Sequence, residues 1–128
     1  MQRHNEWLRL ARQDIAFARL GLHSGDDEVL APAIYHTQQA AEKALKAYLA
    51  FRAMGIPKIH DLLKLIKLCS QFDQRFHTLD LHAAGLNVYS TSTRYPDDLW
   101  ALPDFEMLKT AIEQAGMIID FVVKLIQE

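Results

Sequence analysis

At 128 residues, half of them hydrophobic and 23% charged, the chain has the size and make-up of one globular unit with a substantial core. A formal charge of −2 and a pI near 6.3 exclude a global basic field, though not a local basic pocket. They argue against a protein that coats nucleic acid through many phosphate contacts.

No run approaches the ~18 apolar residues of a membrane span. The N-terminal stretch, MQRHNEWLRLARQDIAF, lacks the uninterrupted apolar core of a secretory signal. The lone Cys69 has no partner for an internal disulfide, so the expected location is cytoplasmic, with no membrane contact.

From Asn5 to about His23, Leu8, Ala11, Ile15, Ala18 and Leu22 recur at three- and four-residue steps, which predicts a first helix. Leu10, Phe17 and Leu20 add a second apolar stripe. Asp14 lies one residue off the first stripe, at the edge of the expected core. It reads either as an exposed helix acid or as a partly buried acceptor for a basic partner. His23-Ser-Gly-Asp-Asp-Glu is a polar turn.

The second helix, Ala33 to Phe51, is the element around which the rest is organised. It is free of Gly and Pro and rich in Ala, Leu, Lys, Gln and Glu, which lose little entropy in a helix. Pro32 suits the first turn, and Gly55 and Pro57 are expected to close the far end. Its alanines let neighbouring helices approach closely. Gln38, Gln39, Glu42, Lys43 and Lys46 make up most of the remainder, and the plain reading is a solvated face with a Glu42–Lys46 pair.

A third helix is expected from Ile59-His60-Asp61-Leu62, with Asp61 as its cap or in its first turn, and with Leu62, Leu65, Ile66 and Cys69 on one face. Asp73 and Gln74 suggest a break. A fourth helix is expected over Arg75 to Ser90, carrying Phe76, Leu79, Ala83 and Leu86 inward. The stretch STSTRYPDD, Ser90 to Asp98, has no helical pattern and reads as a loop continuing to Pro103. The last helix is capped by Asp104 and runs to about Gln127, with a seam from Phe105 through Ile126.

Five helices with short connections and no hairpin signals predict an all-α fold, a five-helix antiparallel bundle of four-helix up-and-down character, forming a single domain over 1–128. The apolar faces are wider than one core stripe requires, which predicts a homodimer through helix faces.

Arg94 is the first candidate for chemistry. A guanidinium binds phosphate bidentately and stays charged at any working pH. Beside it, Tyr95 offers a ring for stacking on a base. The competing reading is that Arg94 ties its loop to a carboxylate such as Asp14 or Glu42. His60 is suited to acid–base work or to orienting a phosphate, although a histidine just before a helix is commonly structural. Gln39 and Lys43, one turn apart, either face the same pocket or face solvent.

His77 and His82 lie about 140° apart around a helix and do not share a face for metal. No zinc-protease, phosphate-loop or dinucleotide motif occurs, and no cofactor or metal is expected. Cys69, on an apolar stripe, reads as core. Trp7 and Trp100 read as packing or interface anchors.

Three blocks occur in the order seen in one known family: QQAAEKALKA in the second helix, His60-Asp61-Leu62 opening the third, and Thr93-Arg94-Tyr95-Pro96 after the fourth. With Trp7, Asp14-Ile15 and Ala18 in the first helix, the chain resembles HEPN domains over nearly its whole length. The resemblance implies a helical, dimeric module with a nucleotide- or RNA-phosphate-binding pocket. We place that pocket around Asp14, Gln39, Lys43, His60, Arg94 and Tyr95.

The resemblance further implies pairing with a separately encoded minimal nucleotidyltransferase, in the manner of a toxin–antitoxin pair. Many members of the family are metal-independent ribonucleases whose signature is an Arg followed a few residues on by a His. No histidine follows Arg94 here, and Arg75 with His82 is a formal match in the wrong place. The enzyme alternative is a ribonuclease using Arg94, with His60 in place of the missing histidine. A structural docking dimer is a third reading.

Overall fold

Helix α1 spans Arg3–Ser24 and buries Leu8, Ala11, Asp14, Ile15 and Ala18 along one stripe. Near its end Gly21 meets the next helix so closely that a Cβ there would stand 2.7 Å from the Cβ of Ala33. The protein is seen as a computed structural model in which residues 3–89 and 103–128 are described. The expectations placed on Arg94, Tyr95, Pro96, Asp97, Asp98 and Trp100 lie outside those residues.

The chain leaves α1 through Asp26, whose carboxylate accepts the Glu28 N–H at 2.9 Å and starts a 3-10 turn over Asp27–Val29. Helix α2 follows directly as Leu30–Phe51, three residues ahead of the apolar pattern. Pro32 fits because a first-turn N–H has no intrahelical acceptor to lose. Of its 22 residues, 14 are buried, so α2 is the axis of the bundle rather than one of its walls.

The far end of α2 is closed by Ala53, not by Gly55 as the sequence suggested. Ala53 takes a left-handed φ of 59°, with its N–H on the Ala50 carbonyl and the Met54 N–H on that of Leu49. This is the double hydrogen bond of a Schellman terminus, with alanine where glycine is usual.

Helix α3 covers Leu62–Ser70, and Asp61 caps it by accepting the N–H groups of Leu63 and Lys64. The single helix expected over Arg75 to Ser90 is two elements. A 3-10 segment, Gln74–Leu79, is capped by Asp73 and turns Phe76 and Leu79 inward at the i, i+3 spacing natural to that geometry. Helix α4 then spans Asp80–Asn87. Helix α5, Phe105–Gln127, starts where Asp104 accepts the Met107 N–H at 2.8 Å.

Side-chain contacts fix the directions. Gly21 meets Ala33, and Asp14 meets Lys43, so α1 and α2 are antiparallel. The backbone returns along α2 before α3 begins, because Gln38 reaches the carbonyl of His60 while Cys69 sits at that of Leu45. Helix α3 therefore descends beside α2. Helix α4 climbs back, and Asn87 receives the Leu62 N–H at 2.9 Å. With α5 descending, α1, α2, α4 and α5 alternate as a four-helix bundle, and α3 is the addition.

Phe76 wedges one end between Tyr48 and Phe121, at ring separations of 4.6 and 4.9 Å. The fold is all-helical among the described residues, and none of those helices is long and apolar enough to cross a membrane.

Candidate functional site

Because most of α2 is enclosed, its row of Gln38, Glu42 and Lys46 has no solvated side to occupy. Ala40, Ala41, Ala44 and Ala47 are fully buried, and Gln38, Glu42 and Lys46 are drawn inside with them. The solvated face expected for these three is thereby corrected: helix geometry puts residues four apart in one row, and that row is covered.

Within the row, Lys46 Nζ donates to Glu42 at 3.0 Å, with both side chains at most 7% exposed. The same ammonium stands 5.9 Å from the centre of the Trp7 ring on α1. On the other side of Glu42, His60 Nδ1 lies 3.1 Å from Oε2. Gln38 donates to the His60 carbonyl at 3.1 Å, and its own oxygen accepts from Gln39 at 2.8 Å.

A second cluster adjoins the first along α1. Lys43 Nζ donates to Asp14 Oδ2 at 2.6 Å, and His36 Nδ1 lies 2.9 Å from Oδ1. Phe17 packs its ring against His36 with the centroids 4.5 Å apart. Asp14 is thus the buried acceptor for a basic partner, and the partner is Lys43.

Two carboxylates balance two ammonium groups, so with neutral histidines the combined cluster carries no net charge. Each histidine faces an acceptor-only carboxylate through Nδ1, which places the proton there and leaves Nε2 with the lone pair. The side chain of His60 is 72% exposed, so its outer nitrogen is open to a solute. The arrangement suits hydrogen bonding to a polar ligand and proton exchange at Nε2 of His60. No buried side-chain polar atom among the described residues lacks a partner.

Of the residues singled out from sequence, Asp14, Gln39, Lys43 and His60 come together across α1, α2 and the start of α3. Arg94 and Tyr95 lie outside the described residues. Sequence reasoning did not place Gln38, Lys46 or His36 in the site, nor Trp7 beyond a packing role.

Arg75 belongs elsewhere. Its guanidinium donates to Asp73 and to Glu128, so the formal pair with His82 has its arginine held in a surface ion-pair cluster. Those contacts hold the Asp73 carboxyl below its usual range. His82 lines a cavity of about 630 Å³ between α1, α4 and α5. Cys69 is enclosed, and burial pushes its thiol up to about 12. No group of three or more metal-ligating side chains converges among the described residues.

The chain matches the family model of the HEPN domain over residues 4–126. It is similar to the crystal structure of TT1696 from Thermus thermophilus, with 30% identity and a TM-score of 0.81, covering 97% of this chain and 98% of that one. It is also similar to ST0689, an archaeal HEPN homologue, with 25% identity and a TM-score of 0.77, covering 98% and 99%. No curated protein matches it.

Proposed function

The chain belongs to the HEPN domain family, and from that premise we propose that it is a nucleotide- or RNA-phosphate-binding module. The observation that carries this reading is a buried charge network with open ends. Burying Glu42, Lys46 and Asp14 costs desolvation that apolar packing would avoid. Yet the network reaches solvent at His36, Lys43 and His60, and the Lys43 ammonium keeps N–H groups to donate to a phosphate.

Asp14 and Glu42 offset Lys43 and Lys46, so the surplus positive charge that attracts a phosphate comes from Arg94 in this reading, with Tyr95 stacking on a base. Calorimetric titration with nucleoside mono- and triphosphates tests it. Binding should weaken about tenfold or more in Arg94→Ala and Lys43→Ala. Binding indifferent to both changes would remove the site.

A homodimer and a minimal nucleotidyltransferase partner belong to the same proposal. Phe17 on α1 and Leu81 on α4, 43% and 86% exposed, support pairing through helix faces. Light scattering should give twice the chain mass, and co-purification with a co-expressed transferase tests the second partner.

The ribonuclease reading is favoured by one observation, the hold of Glu42 on His60, which leaves Nε2 free to take a proton from a ribose hydroxyl. An RNA-cleavage assay with chelator present, on wild type and on His60→Ala and Arg94→Ala, separates it from binding alone. Cleavage lost in both variants would establish the enzyme.

A further inference from the structure

Helix α1 has a second face that the α2 cluster does not use. Arg9, Arg12, Ala16, Arg19 and His23 follow one another at three- and four-residue steps, and all are exposed. At 100° per residue they fall within an arc of about 80°, while Asp14 lies about 140° or more from each of the three arginines. The row therefore runs along the edge of α1 away from the polar face of α2. From Arg9 to Arg19 it extends about 15 Å.

These arginines are uncommitted. Arg75 is held by two carboxylates and Arg52 lies over the Phe72 ring. Among the described residues, Arg9, Arg12 and Arg19 have no hydrogen bond, ion pair or ring contact. None of the three is offset by a carboxylate of the described residues within ion-pair distance, so the row is open to an anionic partner.

We propose that this row is a backbone track for single-stranded nucleic acid, a contact surface separate from the α2 site. Guanidinium groups match phosphate oxygens bidentately, and a straight row one side chain wide fits a linear polymer of phosphates. An anionic membrane is a poorer fit, because a plane laid on the row also meets the acids at its borders. Glu6 is exposed on α1, and Glu113 and Asp120 line the cavity beside Arg19.

A second copy of the same face is excluded by like charge. Over an acidic polypeptide, nucleic acid is favoured by Leu20, 69% exposed and within about 20° of Arg9 around the helix, which gives a base an apolar surface to lie on.

The test is fluorescence anisotropy with a short labelled oligouridylate over a series of salt concentrations. It compares wild type with the triple variant R9Q/R12Q/R19Q, whose fold is checked by circular dichroism. Three contacts predict a log–log salt slope of about −2 and a loss of about tenfold or more in the variant. Uridine monophosphate, titrated in parallel, reports the α2 site and should be unaffected by the triple change.

Oligouridylate binding equally well to the triple variant would overturn the track. So would vesicles rich in phosphatidylserine binding where oligouridylate does not, or polyglutamate competing as well as unlabelled oligouridylate. Loss of monophosphate binding in Lys43→Ala, with the arginine-dependent affinity intact, concerns the α2 site alone.

Discussion

The Nδ1 atom of His60 stands 3.1 Å from Oε2 of Glu42, and that same oxygen takes the Lys46 ammonium at 3.0 Å. One buried carboxylate thus accepts from two groups of opposite situation, an ammonium sealed in the bundle and an imidazole largely in water. Removing the acid leaves Lys46 charged and unpaired in the interior. Glu42→Ala is expected to destabilise the fold by about 3 kcal/mol. The double change Glu42→Leu with Lys46→Met removes both charges and should recover most of that loss. His60→Ala, at an exposed side chain, should cost less than about 1 kcal/mol. Urea denaturation of the four proteins decides it, and a double variant no better than Glu42→Ala would show that the pair stabilises beyond its own desolvation.

Gly21 sets the approach of α1 to α2. A methyl there would stand 2.7 Å from the Cβ of Ala33, closer than two carbons can rest. Both groups lie on backbone that belongs to long helices, so relief requires the helices to part. Gly21→Ala should lose about 2 kcal/mol in spite of alanine's better helix propensity. Adding Ala33→Gly should return part of the loss, and a double-mutant cycle measures the coupling. Additive effects would mean that the crossing accommodates the methyl elsewhere.

That contact also marks what the sequence could and could not convey. The helix faces were legible because burial imposes a period on each strip of chain: the seam of α5 and the cap at Asp104 are local patterns. Asp61 as a cap was legible for the same reason. The interior fate of Gln38, Glu42 and Lys46 was not, because their i, i+4 spacing is shared by solvated faces. What decides is how many neighbours wrap α2, which no local window contains.

The 3-10 segment over Gln74–Leu79 was hidden too, since Phe76 and Leu79 satisfy helical and 3-10 spacing alike. At the site, Asp14 and Lys43 are 29 residues apart, and composition gave each a role without pairing them. Their meeting follows from the antiparallel turn between α1 and α2.

The end of α2 offers a stabilising change. Ala53 pays a steric cost for its left-handed φ of 59°, because its Cβ crowds the backbone carbonyl. Ala53→Gly removes that cost, partly offset by a more flexible unfolded chain. The expected gain is about 1 kcal/mol, or about 4 °C in Tm for a chain of this size. Gly55→Ala is the control. Its φ is not left-handed and its Cβ would meet nothing within 4 Å, so it should be neutral or slightly stabilising. A scan in which Gly55→Ala melts early and Ala53→Gly is silent would move the helix stop back to Gly55.

Cys69 provides a pH-dependent probe of the core. Its thiol is enclosed between α3 and α2, with Sγ 3.6 Å from the Leu45 carbonyl, and burial raises its pKa from 9.0 to about 12. The thiol is neutral when protonated, so a folded pKa above the unfolded value favours the native state only while both forms stay protonated. Its contribution to stability is complete below 9.0 and is lost progressively as pH rises from there toward about 12, because the unfolded chain releases the proton first. Thiolate being the nucleophile, native protein should resist a thiol-titrating disulfide reagent at about pH 8 and react fully in denaturant. Cys69→Ala should flatten the alkaline limb of the stability curve. Rapid modification of the folded protein would show that α3 opens from α2 far more readily than its packing implies.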